Sequence, residues 1–372
     1  MAHLHIKNGT VVLKDALLKN SAVSIEGPKI VEVGKSYHGQ KGSLTIDAKG
    51  CFVSAGFIDS HIHGAPEDIY SNETRYGTTS VVLALSCDRL EGIYDRVDEI
   101  KRIVSSSSLG LNILGVRLEG PYISKKKAGA QNKRYIKSPD KKELLNIIER
   151  CAGLLKIVTI APELKGAIAL IRLLNRKNII ASIGHSDATY EEAIKAIDSG
   201  VRHATHIFNA MRGMDTREPG IASAALIDGR VAAEIILDLV HVNEALFGLL
   251  LRIKGIDKTI LVTDSVRADT NTAIKKRDGA YRFRSGGLAG SYLTMIDAIK
   301  NAVKVSSIGL PQAVRLATLN PAALLGVANR KGAIARGMDA DIVIFDKDFD
   351  VKVTMVKGMV VYKKKDFNLC AA

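Results

Sequence analysis

The sequence predicts an α/β fold: a (β/α)8 TIM barrel flanked by a small β domain built from both chain ends. Three observations carry this expectation. Apolar runs of strand length recur between residues 52 and 263 with helical patterns among them, the alternation that βα units around a parallel sheet produce. The two ends have another texture, short β-rich runs punctuated by turn residues. The length of 372 residues leaves room for a barrel of about 250 residues and a smaller second unit.

Residues 4–50 read as short strands, LHIKNGTVVL, NSAVSIEGPKIVEVG and SLTIDAKG, with turns signalled at Asn8-Gly9 and Gly27-Pro28. Eight candidate barrel strands follow at 52–59, 79–86, 111–119, 155–162, 178–184, 203–208, 231–239 and 258–263. Stretches such as SDATYEEAIKAIDSG and NEALFGLLLRIKG supply helices between them. A doubly wound open sheet is the competing arrangement, but no GxGxxG follows a first strand. The serines at 105–108 and the polar segment 266–287 read as surface loops. After residue 332 the β texture returns. The expected organisation is a β-sandwich-like domain of residues 1–51 and 332–372 around a catalytic barrel of residues 52–331.

Composition narrows the function classes. Hydrophobic residues make up 47% and charged residues 25%, an ordinary globular balance. No apolar stretch approaches the roughly 18–20 residues of a membrane span. The start, MAHLHIKNGT, lacks a secretory pattern. Cys51, Cys87, Cys151 and Cys370 are scattered without a CxxC pair, so a reducing cytoplasm is the expected setting. The net charge of +14 admits a polyanion partner, but aromatics are 5% with no Trp, a poor basis for stacking on nucleic acid. A solvated basic surface is the simpler account, with neither nucleic acid nor membrane expected as a partner.

The potential ligands fall where the expected strands end, the face on which TIM barrels build their sites. In DSHIHG, His61 and His63 are two residues apart and so aim the same way from a strand. They are either half of a metal site or an exposed polar strand end. Glu119 closes the third run, His185 the fifth and Asp264 the eighth, while His206 lies in the sixth. The bland readings are a turn or cap for Glu119, His185 and Asp264, and a core histidine hydrogen-bonded to backbone for His206. Together they form four imidazoles and two carboxylates on one rim, a donor set suited to Zn²⁺ or Fe²⁺.

An ordered series of motifs runs through the chain: SAGFID, HxH, LEGP, GHS, THxFNAM, REPG, VTD, LAGSYLTM, NPA and GAIARGMDADIVIFD. This series resembles the N-acetylglucosamine-6-phosphate deacetylase family of the amidohydrolase superfamily. The resemblance implies that Glu119, His185 and His206 hold a principal divalent metal, and that His61 and His63 hold a second, giving one or two ions per subunit. The fourth run ends Ile160-Ala-Pro-Glu163 without the lysine that bridges many binuclear relatives, so Glu119 is the expected bridge. It implies substrate contacts at Ala130, Gln131, Asn209, Ala210, Leu288, Ala289 and Gly290. Phosphate recognition falls to Arg217 and His241, with Arg217 supplied across a homodimer to the neighbouring subunit's site.

The implied reaction is hydrolysis of an acetamide on a sugar phosphate. Asp264 is expected to take the proton of the attacking water and deliver it to the departing nitrogen. Three positions depart from the family pattern: Gln131 stands where histidine is usual, Thr216 replaces the histidine before the arginine, and Leu239 replaces a glycine. The first substitutes an uncharged donor for one that can become cationic. The others open the choice between N-acetylglucosamine and N-acetylgalactosamine 6-phosphate. The competing readings are a cyclic amidohydrolase or deaminase of the same superfamily, and a scaffold without metal that binds a polyanion.

Overall fold

Strands from both chain ends share one sheet. The computed structural model describes residues 3–35, 43–106, 110–267, 274–284, 286–367 and 369–371. In that first sheet Met359–Lys363, Val351–Val356, Ile342–Phe345, Phe52–Ala55, His3–Val12, Leu17–Glu26 and Lys29–Gly34 lie side by side. Leu44–Asp47 pairs parallel to residues 4–7 and carries Leu369–Ala371 on its other edge. Alternation along these strands buries Ile6, Val23, Ile25, Val53, Ile344 and Met355 in a core of their own.

The second sheet is the barrel. Its parallel strands, in chain order and in spatial order, are Phe57–Gly64, Thr78–Ser86, Asn112–Glu119, Leu155–Ile160, Ile180–Ile183, His203–Ala204, Ala232–Ile236 and Thr259–Val262. The chain then passes through Thr263 and Asp264 into Ser265–Arg267, which pairs in parallel with the end of the first strand, Ser265 opposite Ile62 and Val266 opposite His63. The Asp264 amide also donates to the His61 carbonyl at 2.8 Å. The ring closes at this seam. Because helices cover the outside, both faces of most strands are buried, which is why they read as continuous apolar runs.

Helix starts follow local chemistry. Asp140 accepts from the Lys142 and Glu143 amides at the head of Lys141–Cys151, and Thr189 and Glu192 form a capping box before Tyr190–Asp198. The apolar faces of both helices, Leu144 and Ile147 in one and Ala193, Ala196 and Ile197 in the other, pack into the barrel's outer core.

The run at 52–59 is two strands, not one. Phe52–Ala55 belongs to the first sheet, where Ala55 faces Ile342, and the barrel begins at Phe57. Gly56 marks the break: a Cβ there would sit 2.2 Å from Thr79, so only glycine lets the chain cross this closely. The Phe345 ring lies 5.5 Å from that of Phe52 and 6.3 Å from that of Phe57, so aromatic rings from both sides of the break pack into the barrel's core. The sixth strand is shorter than expected, leaving His206 beyond its end. Segment 266–287 is not a plain loop, since Ile274–Arg277 and Ala280–Phe283 form a hairpin; residues 268–273 lie outside the described residues. Ser105 and Ser106 end the helix Leu90–Ser106, and Ser107 and Ser108 lie outside the described residues.

Candidate metal centre

His61 and His63 stand in the first barrel strand, and a bulge sets their aim. Asp59 faces Val81 while Ile62 faces Leu83, so the first strand carries one extra residue at this point. The Asp59 carboxylate holds the bulge by accepting from the His61 amide at 3.1 Å and the Thr263 hydroxyl at 2.5 Å. The two imidazoles face the barrel axis with their centroids 5.4 Å apart. Three further site residues, His185, His206 and Asp264, have φ of 46°, 27° and 46°. That left-handed backbone is costly for residues with a Cβ, and it turns each side chain inward as its strand ends.

The six side chains converge. Glu119 Oε1 lies 3.1 Å from His185 Nε2, 3.0 Å from His206 Nε2 and 3.3 Å from His61 Nε2. Glu119 Oε2 lies 3.2 Å from His63 Nε2, and Asp264 Oδ1 is 3.4 Å from His61 Nε2 and 3.2 Å from His63 Nε2. Two ligand groups result, His61, His63, Glu119 and Asp264 in one, and Glu119, His185 and His206 in the other. Glu119 is common to both.

Proton placement tests whether a cation fits. His185 Nδ1 lies 2.9 Å from the Lys127 carbonyl, which can only accept, so the ring proton is on Nδ1 and the Nε2 lone pair faces Glu119. His61 Nδ1 lies 3.3 Å from the Glu234 carboxylate, so its Nε2 also turns a lone pair on carboxylate oxygens, and that buried atom has no hydrogen-bond partner. His185 Nε2 and His206 Nε2 are 3.0 Å apart. Acceptors crowd against acceptors, an arrangement that calls for positive charge between them. Ligand atoms around a zinc ion, each about 2.0–2.2 Å from it, lie roughly 3–4 Å from one another, which matches these spacings. The donor set fits a divalent cation.

The electrostatics show the same demand for positive charge, which a second ring proton on His61 and His63 meets when no ion is bound. Burial and Arg117 oppose a proton on His61, but the Asp264 and Glu119 carboxylates outweigh them and raise the imidazole to about 10. Burial likewise opposes His63, which Asp264 and Glu119 raise to about 9. Burial pushes the Glu119 carboxyl upward, yet the surrounding imidazoles hold it well below the usual range. The same contest leaves Asp264 lowered, with His61 and His63 prevailing over burial.

Above this cluster opens a cavity of about 660 Å³. His63, Glu119, His185, His206 and Asp264 form its floor, and Ala130, Gln131, Asn209, Ala210, His241, Leu288, Ala289 and Gly290 line it, while His61 lies beneath. Gln131 is fixed at both ends, its Nε2 donating to Glu119 at 2.6 Å and its Oε1 accepting from the Cys87 amide at 2.8 Å. Residues 287–290 are tied to the hairpin through bonds to Tyr281 and Phe283. His241 is held by Asp238 at 2.6 Å. Leu239, where the resemblance expects glycine, keeps a φ of 64°, so the backbone shape a glycine favours is retained. Arg217 is the exception among the expected residues: it is exposed and does not line the cavity.

The sequence reading missed Ser86, Ile236 and Phe283 on the cavity wall. It also missed Arg117 and Glu234, fully buried behind His61 and paired at 2.6 Å. Their signal was available: Glu234 is the one charge in AAEII, and Arg117 interrupts an apolar run two residues before Glu119. A neighbouring groove of about 640 Å³ carries Lys125, Lys126, Asp187 and Arg212. In it Lys126 lies 3.2 Å and Arg212 3.3 Å from Asp187.

Comparison with known proteins agrees with this geometry. The N-acetylglucosamine-6-phosphate deacetylase of Lysinibacillus sphaericus is 32% identical, with 96% of this chain and 97% of that protein covered. The N-acetylgalactosamine-6-phosphate deacetylase of Escherichia coli O157:H7 is 30% identical over 82% of this chain and 86% of its own length. The deacetylase from Mycobacterium smegmatis solved in complex with N-acetyl-D-glucosamine-6-phosphate superposes with a TM-score of 0.88 at 29% identity, covering 98% of this chain and 100% of that one. Residues 52–361 match the amidohydrolase family, and on that span and these relatives the chain is a hydrolytic enzyme that belongs to the amidohydrolase family.

Proposed function

We propose that this enzyme hydrolyses the acetamide of N-acetylglucosamine 6-phosphate to glucosamine 6-phosphate and acetate, using one or two Zn²⁺ or Fe²⁺ ions. The observation that carries the reading is the meeting of His61, His63, Glu119, His185, His206 and Asp264, five of them at the floor of one cavity and His61 just beneath it. Glu119, His185 and His206 would hold one ion, and His61 and His63 with a shared Glu119 the other. A divalent cation bound there supplies Lewis acidity, activating water and polarising the acetamide carbonyl.

The chain's own residues do the rest. Asp264 is held ionised beside the floor, as a general base must be, and takes the proton of the attacking water. It then returns that proton to the sugar nitrogen, because an amide anion cannot leave unaided. Gln131, locked by Cys87 and Glu119, offers its remaining amide N–H toward the carbonyl oxygen. His241 serves the phosphate from the cavity wall. Arg217, exposed on the 212–218 loop, serves the phosphate of a neighbouring subunit in a homodimer, its planar fork suiting phosphate oxygens.

A second sugar is favoured by the departures of Thr216 and Leu239 from the expected phosphate motifs, and an N-acetylgalactosamine-6-phosphate deacetylase is among the relatives, 30% identical over 82% of this chain. No described helix is long and apolar enough to cross a membrane. A cytoplasmic setting is part of the proposal, supported by the free thiols of Cys51, Cys87 and Cys151.

The test is acetate release from phosphorylated and unphosphorylated N-acetylhexosamines, with metal content measured on the same sample. Turnover of N-acetylglucosamine 6-phosphate by metal-loaded enzyme, with a much lower kcat/KM once the phosphate is removed, is the expected result. Equal kcat/KM with and without phosphate would overturn the roles of Arg217 and His241. Preference for the galacto epimer would select the second sugar.

A further inference from the structure

We infer that Glu234 is a positioning residue for the His61 side of the metal centre, oriented for that task by Arg117. The inference rests on the proposed metal reading and goes beyond it, because neither residue belongs to the ligand groups.

Glu234 sits in the middle of Ala232–Ile236 with no exposure, and both its oxygens are engaged. Oε1 accepts from Arg117 Nη1 at 2.6 Å and from the Ser60 hydroxyl at 3.2 Å. That leaves Oε2 for His61 Nδ1, at 3.3 Å. Arg117 is itself anchored by the Ser60 carbonyl at 3.1 Å and the Thr205 hydroxyl at 3.0 Å, so the carboxylate cannot rotate away. A carboxylate can only accept, and it therefore keeps the His61 proton on Nδ1 and the lone pair on Nε2, the atom that faces Glu119 and Asp264.

The other half of the centre is built differently. His185 is oriented by a backbone carbonyl, that of Lys127, and Glu234 touches neither His185 nor His206 among the described contacts. The two ion positions thus depend on different supports, and changing Glu234 separates them. In Glu234→Gln, Arg117 claims the amide oxygen and turns the NH2 group on His61 Nδ1. The ring proton then moves to Nε2, where an ion should bind. In the double variant Glu234→Gln/Arg117→Met, the neighbours left beside that end, the Ser60 hydroxyl at 3.2 Å and His203 Nε2 at 3.4 Å, can each donate or accept, so the amide can flip and again accept from Nδ1.

Chelator-buffered Zn²⁺ titration of wild type and both variants decides the matter, run where circular dichroism shows each folded. Wild type is expected to take two ions. Glu234→Gln should bind the first as wild type does and the second about 10- to 100-fold more weakly. The double variant should recover most of that loss, and it remains informative if the single variant fails to fold. Both ions binding to Glu234→Gln with unchanged affinity, or both weakening in parallel, would mean that Glu234 only balances Arg117 and would overturn the inference. A folded double variant that recovers nothing overturns the part assigned to Arg117. A wild-type protein that takes up fewer than two ions defeats the two-ion reading itself, and this inference with it.

Discussion

At Asp264 one residue joins chemistry and architecture: its carboxylate lies 3.2 Å from His63, and its amide donates to the His61 carbonyl. Replacing only the carboxylate separates the two. Asp264→Asn should keep the fold and the metal, yet lower kcat by roughly 10²- to 10⁴-fold, the usual worth of a positioned general base. Metal analysis beside steady-state kinetics checks it, and an active variant would remove Asp264 from the proton path. Much of this residue-level pattern was legible in the sequence. A donor at the end of a buried strand has few bland uses when five others share its rim. The bulge at Asp59 was not legible, since nothing in DSHIHG distinguishes an extra residue from simple alternation. Glu234 and Arg117 escaped for another reason. A charge within an apolar strand announces burial but not its partner, and these two are far apart in the chain.

Strand positions were the most readable feature, because a strand covered on both faces is a continuous apolar run bounded by turns. Where the reading failed, two strands shared one run. Phe52–Ala55 and the Phe57-Ile58 start of the next strand lie in different sheets yet read as one apolar run, and the packing of Gly56 against Thr79 divides them. Gly56→Ala should therefore destabilise the protein by about 1–3 kcal/mol through overpacking, measured by denaturant unfolding. The helix Glu244–Lys254 makes a different prediction. Its last residue is mostly buried and donates to the Asp228 and Val231 carbonyls at 2.6 and 2.7 Å. Burial lowers the Lys254 ammonium to about 8 from its ordinary 10.5. Between these values the unfolded chain holds a proton that the folded chain has released, so this group's contribution to stability rises with pH across that window. Lys254→Met should flatten that limb in unfolding curves taken from pH 8 to 10.5.

For the molecule as a whole, the alternative of a metal-free scaffold for a polyanion stands against the hydrolase. The +14 charge permits such a partner, but it does not explain why lone pairs and carboxylates are packed together at the end of the barrel. Cation binding does, and it has a thermodynamic signature. An ion that binds only the folded state stabilises it by about 2.7 kcal/mol at a hundredfold excess over its Kd. Chelation should lower Tm, and added Zn²⁺ or Fe²⁺ should raise it in a concentration-dependent way in scanning calorimetry. A Tm indifferent to both would favour the scaffold.

The join between Ser265–Arg267 and the first strand is where the cylinder is zipped shut. Its two lips carry His61 and His63 on one side and Asp264 on the other, so any fluctuation that unzips it pulls the proton carrier away from two of the imidazoles. Such an excursion would silence the enzyme while most of its helices and both sheets remained intact. Loss of activity on heating should therefore run ahead of loss of ellipticity, with the first damage falling along this single fault line.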